Sequence, residues 1–307
     1  MKKKIRAMYF TGTGTTEKIT KTIASEMYDN LVKAQTDFQS KQDSSQHTAD
    51  MSFAKEADIN FSPKDAREKE YVFDADDIVV FGVPVIAGRV PNVLLKFLDT
   101  LQGGGAAAIP VVLYGNRNFD DALIELRNIL EDKDFRTIAA AAFIGEHSFS
   151  KTLAAGRPDN ADMQTAADFA KDAADKLLWL LRESEGNEAA FADALMQASP
   201  VEVEGCEPIR PYYKPQDRHG NHINILKVKP KLHEDKCSKC GVCAESCPMG
   251  SIDKDAPGIV NGICIKCCGC VKKCPNEALY FDDEGYIYHK EELEAMYADR
   301  KEPSLFL

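Results

Sequence analysis

Three observations predict a doubly wound α/β fold with a parallel five-stranded sheet, followed by a small cysteine-rich α+β module. Strand-sized apolar runs alternate with amphipathic helical stretches over the first 185 or so residues, with no signals for tight hairpins. Nine of the ten cysteines crowd between Cys237 and Cys274, and none lies in the first 205 residues. Between these halves, Pro200, Pro208, Pro211, Pro215 and Pro230 stand among polar residues, the composition of an extended connector. At 307 residues, and ~150 residues per domain, the length suits two domains.

Periodicity sets the elements in order. Ile5–Phe10 is an apolar first strand, and a helix from about Thr16 to Lys33 carries Ile19, Ile23, Met27 and Leu31 on one face. Residues 36–56 (TDFQSKQDSSQHTADMSFAKE) are polar without a clear period and read as a surface loop or partly ordered insertion. A short second strand is expected near Ile59–Phe61. Ile78–Gly82 is β-branched, as befits a strand buried on both faces of a parallel sheet. Leu94–Leu101 reads as a helix, Ala108–Tyr114 as a strand, Asp120–Glu131 as a helix and Ile138–Ile144 as the fifth strand. Asp162–Glu183 and Asn187–Met196 complete the helices. Ligands of such sheets lie beyond the carboxyl ends of the strands, where strand order reverses, so the loops after Phe10, Gly82, Tyr114 and Ile144 are the candidate site. The expected boundaries are 1–199 for the sheet domain, 200–229 for the proline-rich linker, 230–290 for the cysteine domain and 291–307 for a C-terminal tail.

The net charge is −11, from 38 basic and 49 acidic residues, which excludes nucleic acid as an expected partner. An acidic surface suits basic protein partners and serves solubility equally well. No run of 18 apolar residues exists, so no membrane span is expected. The start is basic, but its apolar part ends at Phe10, too short for the core of an export signal, and a cytoplasmic location is expected. In that reducing compartment, crowded thiols hold metal rather than disulfides.

Two cysteine runs repeat one spacing. Cys237, Cys240, Cys243 and Cys247-Pro form the first, and Cys264, Cys267, Cys270 and Cys274-Pro the second. Three thiolates two residues apart wrap three irons of a cubane, and the fourth, beyond a turn, reaches the other cluster, as in two-cluster ferredoxins. Cys237, Cys240, Cys243 and Cys274 are therefore expected to hold one [4Fe–4S] cluster, and Cys264, Cys267, Cys270 and Cys247 the other. Structural zinc prefers separated pairs, four ligands per ion, which two matched runs of four do not resemble. Cys206 and Cys268 are left over; Cys268 could replace Cys267, but the repeat favours Cys267.

After the first strand comes Thr11-Gly12-Thr13-Gly14-Thr15-Thr16. A dinucleotide fingerprint would place glycine where Glu17 stands, and no Gly-Lys-Ser/Thr follows. Four hydroxyls at a helix N-terminus can instead surround a phosphate monoester together with free amides and the helix dipole.

These residues carry a resemblance. Thr11-x-Thr13-Gly14-x-Thr16 resembles the phosphate loop of flavodoxins, Gly82–Pro91 and Tyr114–Asp120 resemble their two flavin-flanking loops, and the whole chain is similar to proteins fusing a flavodoxin-like domain to a bacterial two-cluster ferredoxin, the EFR-type ferredoxins. The resemblance implies flavin mononucleotide (FMN) and two [4Fe–4S] clusters as cofactors. It implies that Thr11 to Thr16 bind the phosphate and that Phe119 stacks on the ring. Gly115, Asn116 and Asn118 would meet the ring's polar edge by backbone groups, and Pro84, Val85, Ile86 and Ala87 would cover the other side. Ile86 stands where an aromatic is common, leaving a face open to a substrate or to the ferredoxin domain. His147 is read as a hydrogen-bonded loop residue or one that approaches the flavin, and Arg89 first as an anchor for its loop and second as a partner of the phosphate.

The expected function is electron transfer, coupling two-electron FMN chemistry to one-electron cluster chemistry between unidentified redox protein partners. The alternatives are an FMN-dependent reductase of NAD(P)H, a quinone or another small acceptor with the clusters as internal wire, and a redox sensor. The domains could meet within one chain or across a homodimer.

Overall fold

The computed structural model describes residues 2–41, 52–183 and 188–307. Its larger sheet is built from β1 (Lys2–Tyr9), β2 (Ser52–Lys55), β3 (Ile59–Asn60), β4 (Asp77–Pro84), β5 (Ala107–Tyr114), β6 (Arg136–Thr137) and β7 (Ala140–Ile144), with β10 (Ser304–Phe306) at its rim. The order is β10-β7-β5-β4-β1-β2; β3 continues beside β1 past the end of β2, and β6 precedes β7 along β5. Five parallel strand positions thus run in the order 2-1-3-4-5 of the flavodoxin-like doubly wound fold. The order reverses between β1 and β4.

Alternation along the strands feeds two separate cores. Ile5, Ala7, Ile78, Val80, Ile109, Val111 and Phe143 face one side, while Met8, Val79, Phe81, Val112 and Ile144 face the other. The first side is covered by α1 (Thr15–Lys41) through Ile19, Ile23, Met27 and Leu31, by α4 (Asn160–Glu183) through Phe169, Leu177 and Leu181, and by α5 (Glu188–Gln197) through Phe191 and Leu195. The second is covered by α2 (Asn92–Leu98) through Leu94 and Leu98, and by α3 (Ala122–Asp132) through Leu123, Leu126 and Leu130. Each such large side chain contributes about 1.5–3 kcal/mol on burial, so two full layers hold the strand ends in fixed relative positions.

The described part of 36–56 departs from the expected loop. α1 runs on to Lys41, and Ser52–Lys55 is a parallel edge strand whose Phe53 is buried. Residues 42–51 of that segment lie outside the described residues. Residues 291–307, expected as a tail, complete α8 (Glu284–Met296) and then add β10 antiparallel to β7.

The cysteine half is small. β8 (Lys231–Leu232) pairs antiparallel with β9 (Leu279–Tyr280), and one-turn helices α6 (Val242–Glu245) and α7 (Gly269–Lys272) sit between them. The sequence repeat is also a backbone repeat. Lys239 and Lys266 (φ 53° and 55°), Gly241 and Cys268 (79° and 56°), and Gly250 and Glu277 (59° and 49°) are matched left-handed positions. Cys268 thus stands where the first run has glycine.

Candidate flavin cavity and cysteine centres

The loop after β1 is shaped by its own threonines. Thr11 donates its amide to Ser62 Oγ at 2.8 Å, and its hydroxyl accepts from the Gly14 amide at 2.9 Å. The first turn of α1 closes with Lys18 N–H to Gly14 O at 3.0 Å, so the amides of Thr15, Thr16 and Glu17 lie ahead of the intrahelical ladder, as an anion site requires. Gly82 at the end of β4 keeps this helix close, since a Cβ there would lie 2.0 Å from Thr20 Oγ1.

A cavity of about 440 Å³ opens at the switch point, within the size range of small-molecule sites. Gly12, Thr13, Thr15 and Thr16 form one end, Pro84, Val85, Ile86 and Ala87 one flank, and Gly115 and Asn118 another. The remaining expected residues lie elsewhere. Phe119 is buried in the second core against Tyr114, with ring centroids 5.6 Å apart, and does not line the cavity. The turn that would aim it outward instead feeds it under α3. Asn116 is buried, and its side-chain amide donates to the carbonyls of Tyr297 (2.7 Å) and Asp299 (2.8 Å), tying the C-terminal segment rather than facing the cavity. Thr11 and Gly14 shape the loop from behind its lining.

Arg89 is a loop anchor: it forks onto Glu125 at 2.7 and 2.5 Å and also donates to the Arg210 carbonyl. His147 both lines the cavity and is hydrogen-bonded, its Nδ1 accepting from the Phe149 amide at 3.1 Å. Burial pushes it down to about 4, assisted by the nearby cations of Lys272 and Arg117; the imidazole is neutral at ordinary pH.

Two features close the cavity, and the first was not expected from the sequence. Residues 206–229 form a strap across its mouth. Arg210 donates to Asp121 through its amide, Nε and Nη2, Tyr212 donates its hydroxyl to the Val90 carbonyl at 2.8 Å, and Tyr213 donates its amide to the Ala87 carbonyl at 2.8 Å. The Tyr213 ring lies under the Arg117 guanidinium at 4.5 Å and stacks on His289. The second feature is the second cysteine loop, Ile263–Cys267, which supplies the facing wall. Ile86 and this loop line the same cavity.

Among the described residues, no group of three or more His, Cys, Asp or Glu side chains is arranged to hold a single metal ion. Eight thiols instead divide between two small cavities. Cys237, Cys240, Cys243 and Cys274 line one; Cys247, Cys264, Cys267 and Cys270 line the other, with Cys268 beside them. Each set takes its fourth member from the other run. The Lys239, Ser251 and Ala278 amides donate to the sulfurs of Cys237, Cys247 and Cys274 at 3.2–3.4 Å. Burial pushes the Cys267 thiol up to about 11 and raises Cys243 and Cys270 above the ordinary thiol value. Ligation there depends on metal to drive deprotonation. Sulfur sets of this composition and sharing, with amide donors to the sulfurs, fit [4Fe–4S] clusters, and a threonine-ended cavity at a helix N-terminus fits a flavin phosphate.

The halves meet backbone to backbone. A Cβ on Gly12 would lie 2.7 Å from Cys267 Cβ, and one on Gly269 would lie 2.5 Å from Gly12 O. Lys272, between two cysteines, donates to the Glu146 carboxylate and to the carbonyls of His147 and Ser150, both at 2.8 Å. Arg67 reaches the Pro248 carbonyl at 2.5 Å.

Residues 230–253 match the family of 4Fe-4S binding domains. Similar solved structures include a flavodoxin from the domain Archaea (15% identity, TM-score 0.33, covering 56% of this chain and 97% of that one). An oxidoreductase from Corynebacterium diphtheriae matches at 14% identity and TM-score 0.37, covering 64% of this chain and 98% of that one. Rubredoxin oxygen:oxidoreductase from Desulfovibrio gigas matches at 13% identity and TM-score 0.34, covering 64% of this chain and 37% of that one. No curated protein matches the chain. A doubly wound sheet of flavodoxin-like order and a 4Fe–4S binding segment therefore share one polypeptide. No helix among the described residues is long and apolar enough to cross a membrane.

Proposed function

We propose that the chain is an electron-transfer iron–sulfur flavoprotein of the EFR type, joining an FMN site to two [4Fe–4S] sites. The carrying observation is that Cys267 lines both the flavin cavity and the second cysteine cavity, so one residue forms a wall of each. Flavin supplies two-electron chemistry in separable single steps, and each cluster carries one electron. The chain's own residues hold and orient. Thr13, Thr15 and Thr16 receive the phosphate, Pro84–Ala87 and Gly115 flank the ring, and the two shared sets of four cysteines hold the clusters. Residues 1–199 form the flavin half and 230–290 the cluster half, with residues 206–229 closing the cavity between them.

The strap and the Ile263–Cys267 wall enclose the cavity with the chain's own residues, which supports electron carriage over turnover of a small substrate. The cluster at Cys247/Cys264/Cys267/Cys270 is the one next to the flavin, and the other set, with Cys240 exposed, is the distal one. Redox proteins of a reducing cytoplasm are the expected donor and acceptor. The test is anaerobic purification with iron, sulfide and flavin counted, followed by NADH, NADPH and a reduced low-potential ferredoxin while flavin and cluster absorbance are followed separately. About eight iron and one flavin per chain, with reduction by the protein donor alone, is the expected result. Rapid bleaching by a nicotinamide would make the protein a reductase, and zinc in place of iron would remove the cluster half of the reading.

A further inference from the structure

Both cysteine runs place a lysine before their second ligand's successor turn, at the same left-handed backbone position: Lys239 in the first, Lys266 in the second. Their surroundings differ sharply. Lys239 is exposed. Lys266 is 9% exposed, and its ammonium donates to the carbonyls of Leu226 and Cys264, each at 2.9 Å. It lines both the flavin cavity and the second cysteine cavity. Among the described residues no carboxylate pairs with it; its hydrogen-bond acceptors are neutral.

A buried ammonium without a counter-charge is costly, and proteins keep one where an anion answers it. Two carbonyls satisfy donors but do not neutralise charge. The anions on offer are the thiolate-bound centre behind Lys266 and the ligand of the cavity before it. Resting on the proposed function, we propose that Lys266 is a positioning residue that sets the charge shared by the flavin and the adjacent cluster, and that its bond to Leu226 fastens the strap over the flavin. A fixed positive charge favours the more negative, reduced form of each neighbour. It therefore raises both reduction potentials together and leaves the distal cluster nearly untouched, since interior fields fade with distance and screening.

The test compares K266M, K266R and K239M with the wild type, each purified anaerobically with iron and flavin counted, by redox titration of flavin absorbance and of the cluster EPR signals. K266M is expected to lower the equilibrium constant for reduction about tenfold at both neighbouring centres. That corresponds to about 59 mV at a one-electron cluster and about 30 mV at a two-electron flavin. The distal cluster stays at its wild-type potential, K266R stays near wild type throughout, and K239M leaves the flavin and adjacent cluster unmoved. K266M should also speed hydrogen exchange at amides 225–228, a readout independent of the redox centres. Unmoved potentials in K266M at full iron and flavin content would overturn the inference, as would an equal fall in K266R, which would make the effect one of packing. Should K266M fail to accumulate, K266Q, which keeps a donor without the charge, decides between the same outcomes. Wild-type protein lacking iron or flavin would instead sink the functional reading underneath.

Discussion

Gly12→Ala tests the contact on which the proposed coupling depends. Its added methyl would stand 2.7 Å from Cys267 Cβ and 3.2 Å from Cys267 Sγ, where ordinary contact begins at 3.4 Å, so the two loops must part by about 0.7 Å. Overpacking of this kind costs about 1–3 kcal/mol. Gly12 has no left-handed backbone angle, so alanine also gains about 0.4–1 kcal/mol by restricting the unfolded chain. The net loss should be about 1–2 kcal/mol, read as a lower urea midpoint under anaerobic conditions at matched iron content. Gly269→Ala pushes on the same contact from the other side, 2.5 Å from Gly12 O, so the double variant should lose less than the sum of the singles. Gly14→Ala is the control. Its φ of +104° makes alanine strained, yet a Cβ there meets nothing within 4 Å, so its cost should add fully to that of Gly269→Ala. A neutral or stabilising Gly12→Ala, or strict additivity with Gly269→Ala, would refute direct apposition of the two loops.

Other expectations follow from the same geometry. Arg210 holds the Asp121 carboxyl down to about 2, chiefly through side-chain hydrogen bonds. Because the folded value is depressed, this stabilisation is present above the ordinary value of 3.8 and is lost as pH falls through 2; about 1–2 kcal/mol is at stake once the exposure of Arg210 is allowed for. Asp121→Asn should lower the urea midpoint at pH 7 and shrink the difference between pH 7 and pH 3; an undiminished difference would place the acid sensitivity elsewhere. Lys272→Met removes three hydrogen bonds to the 146–150 loop, and should cost about 2–3 kcal/mol and speed hydrogen exchange at those amides; protection equal to wild type would show that the loop docks without it. Cys274→Ala should abolish the same EPR signal as Cys243→Ala, and Cys247→Ala the same signal as Cys264→Ala, leaving about four irons each time. Loss following sequence order instead would mean that each run holds its own cluster.

The fold was readable because both cores are fed by simple alternation. Ile78–Phe81 and Ile109–Val112 are apolar on both faces, and Ile19, Ile23, Met27 and Leu31 recur at helical spacing. Ser52–Lys55 escaped notice because a four-residue edge strand has one buried anchor, Phe53, within a polar stretch. The site was half legible. Thr13, Thr15, Thr16 and Pro84–Ala87 line the cavity because loop position follows directly from the ends of β1 and β4. Phe119 lies outside the cavity lining because ring direction depends on how the β5–α3 turn is folded, not on the residue type. The strap has no periodicity to announce it. Its signal lay in paired chemistry far apart in sequence, Arg210 with Asp121 and Tyr212 with Val90, which only tertiary structure brings together.

The placement of β10 has a topological consequence. The cysteine-rich module leaves the sheet half through the strap and returns to it through Asn116's grip on residues 297 and 299 and through β10 beside β7. It is therefore inserted between two anchored crossings rather than hung from one. A pendulum-like swing would need both crossings to release at once, and exchange of modules between two copies would have to thread two connections instead of one. Reciprocal swapping, the usual hazard of tethered modules, is opposed here by connectivity itself, independently of how tightly the two halves bind.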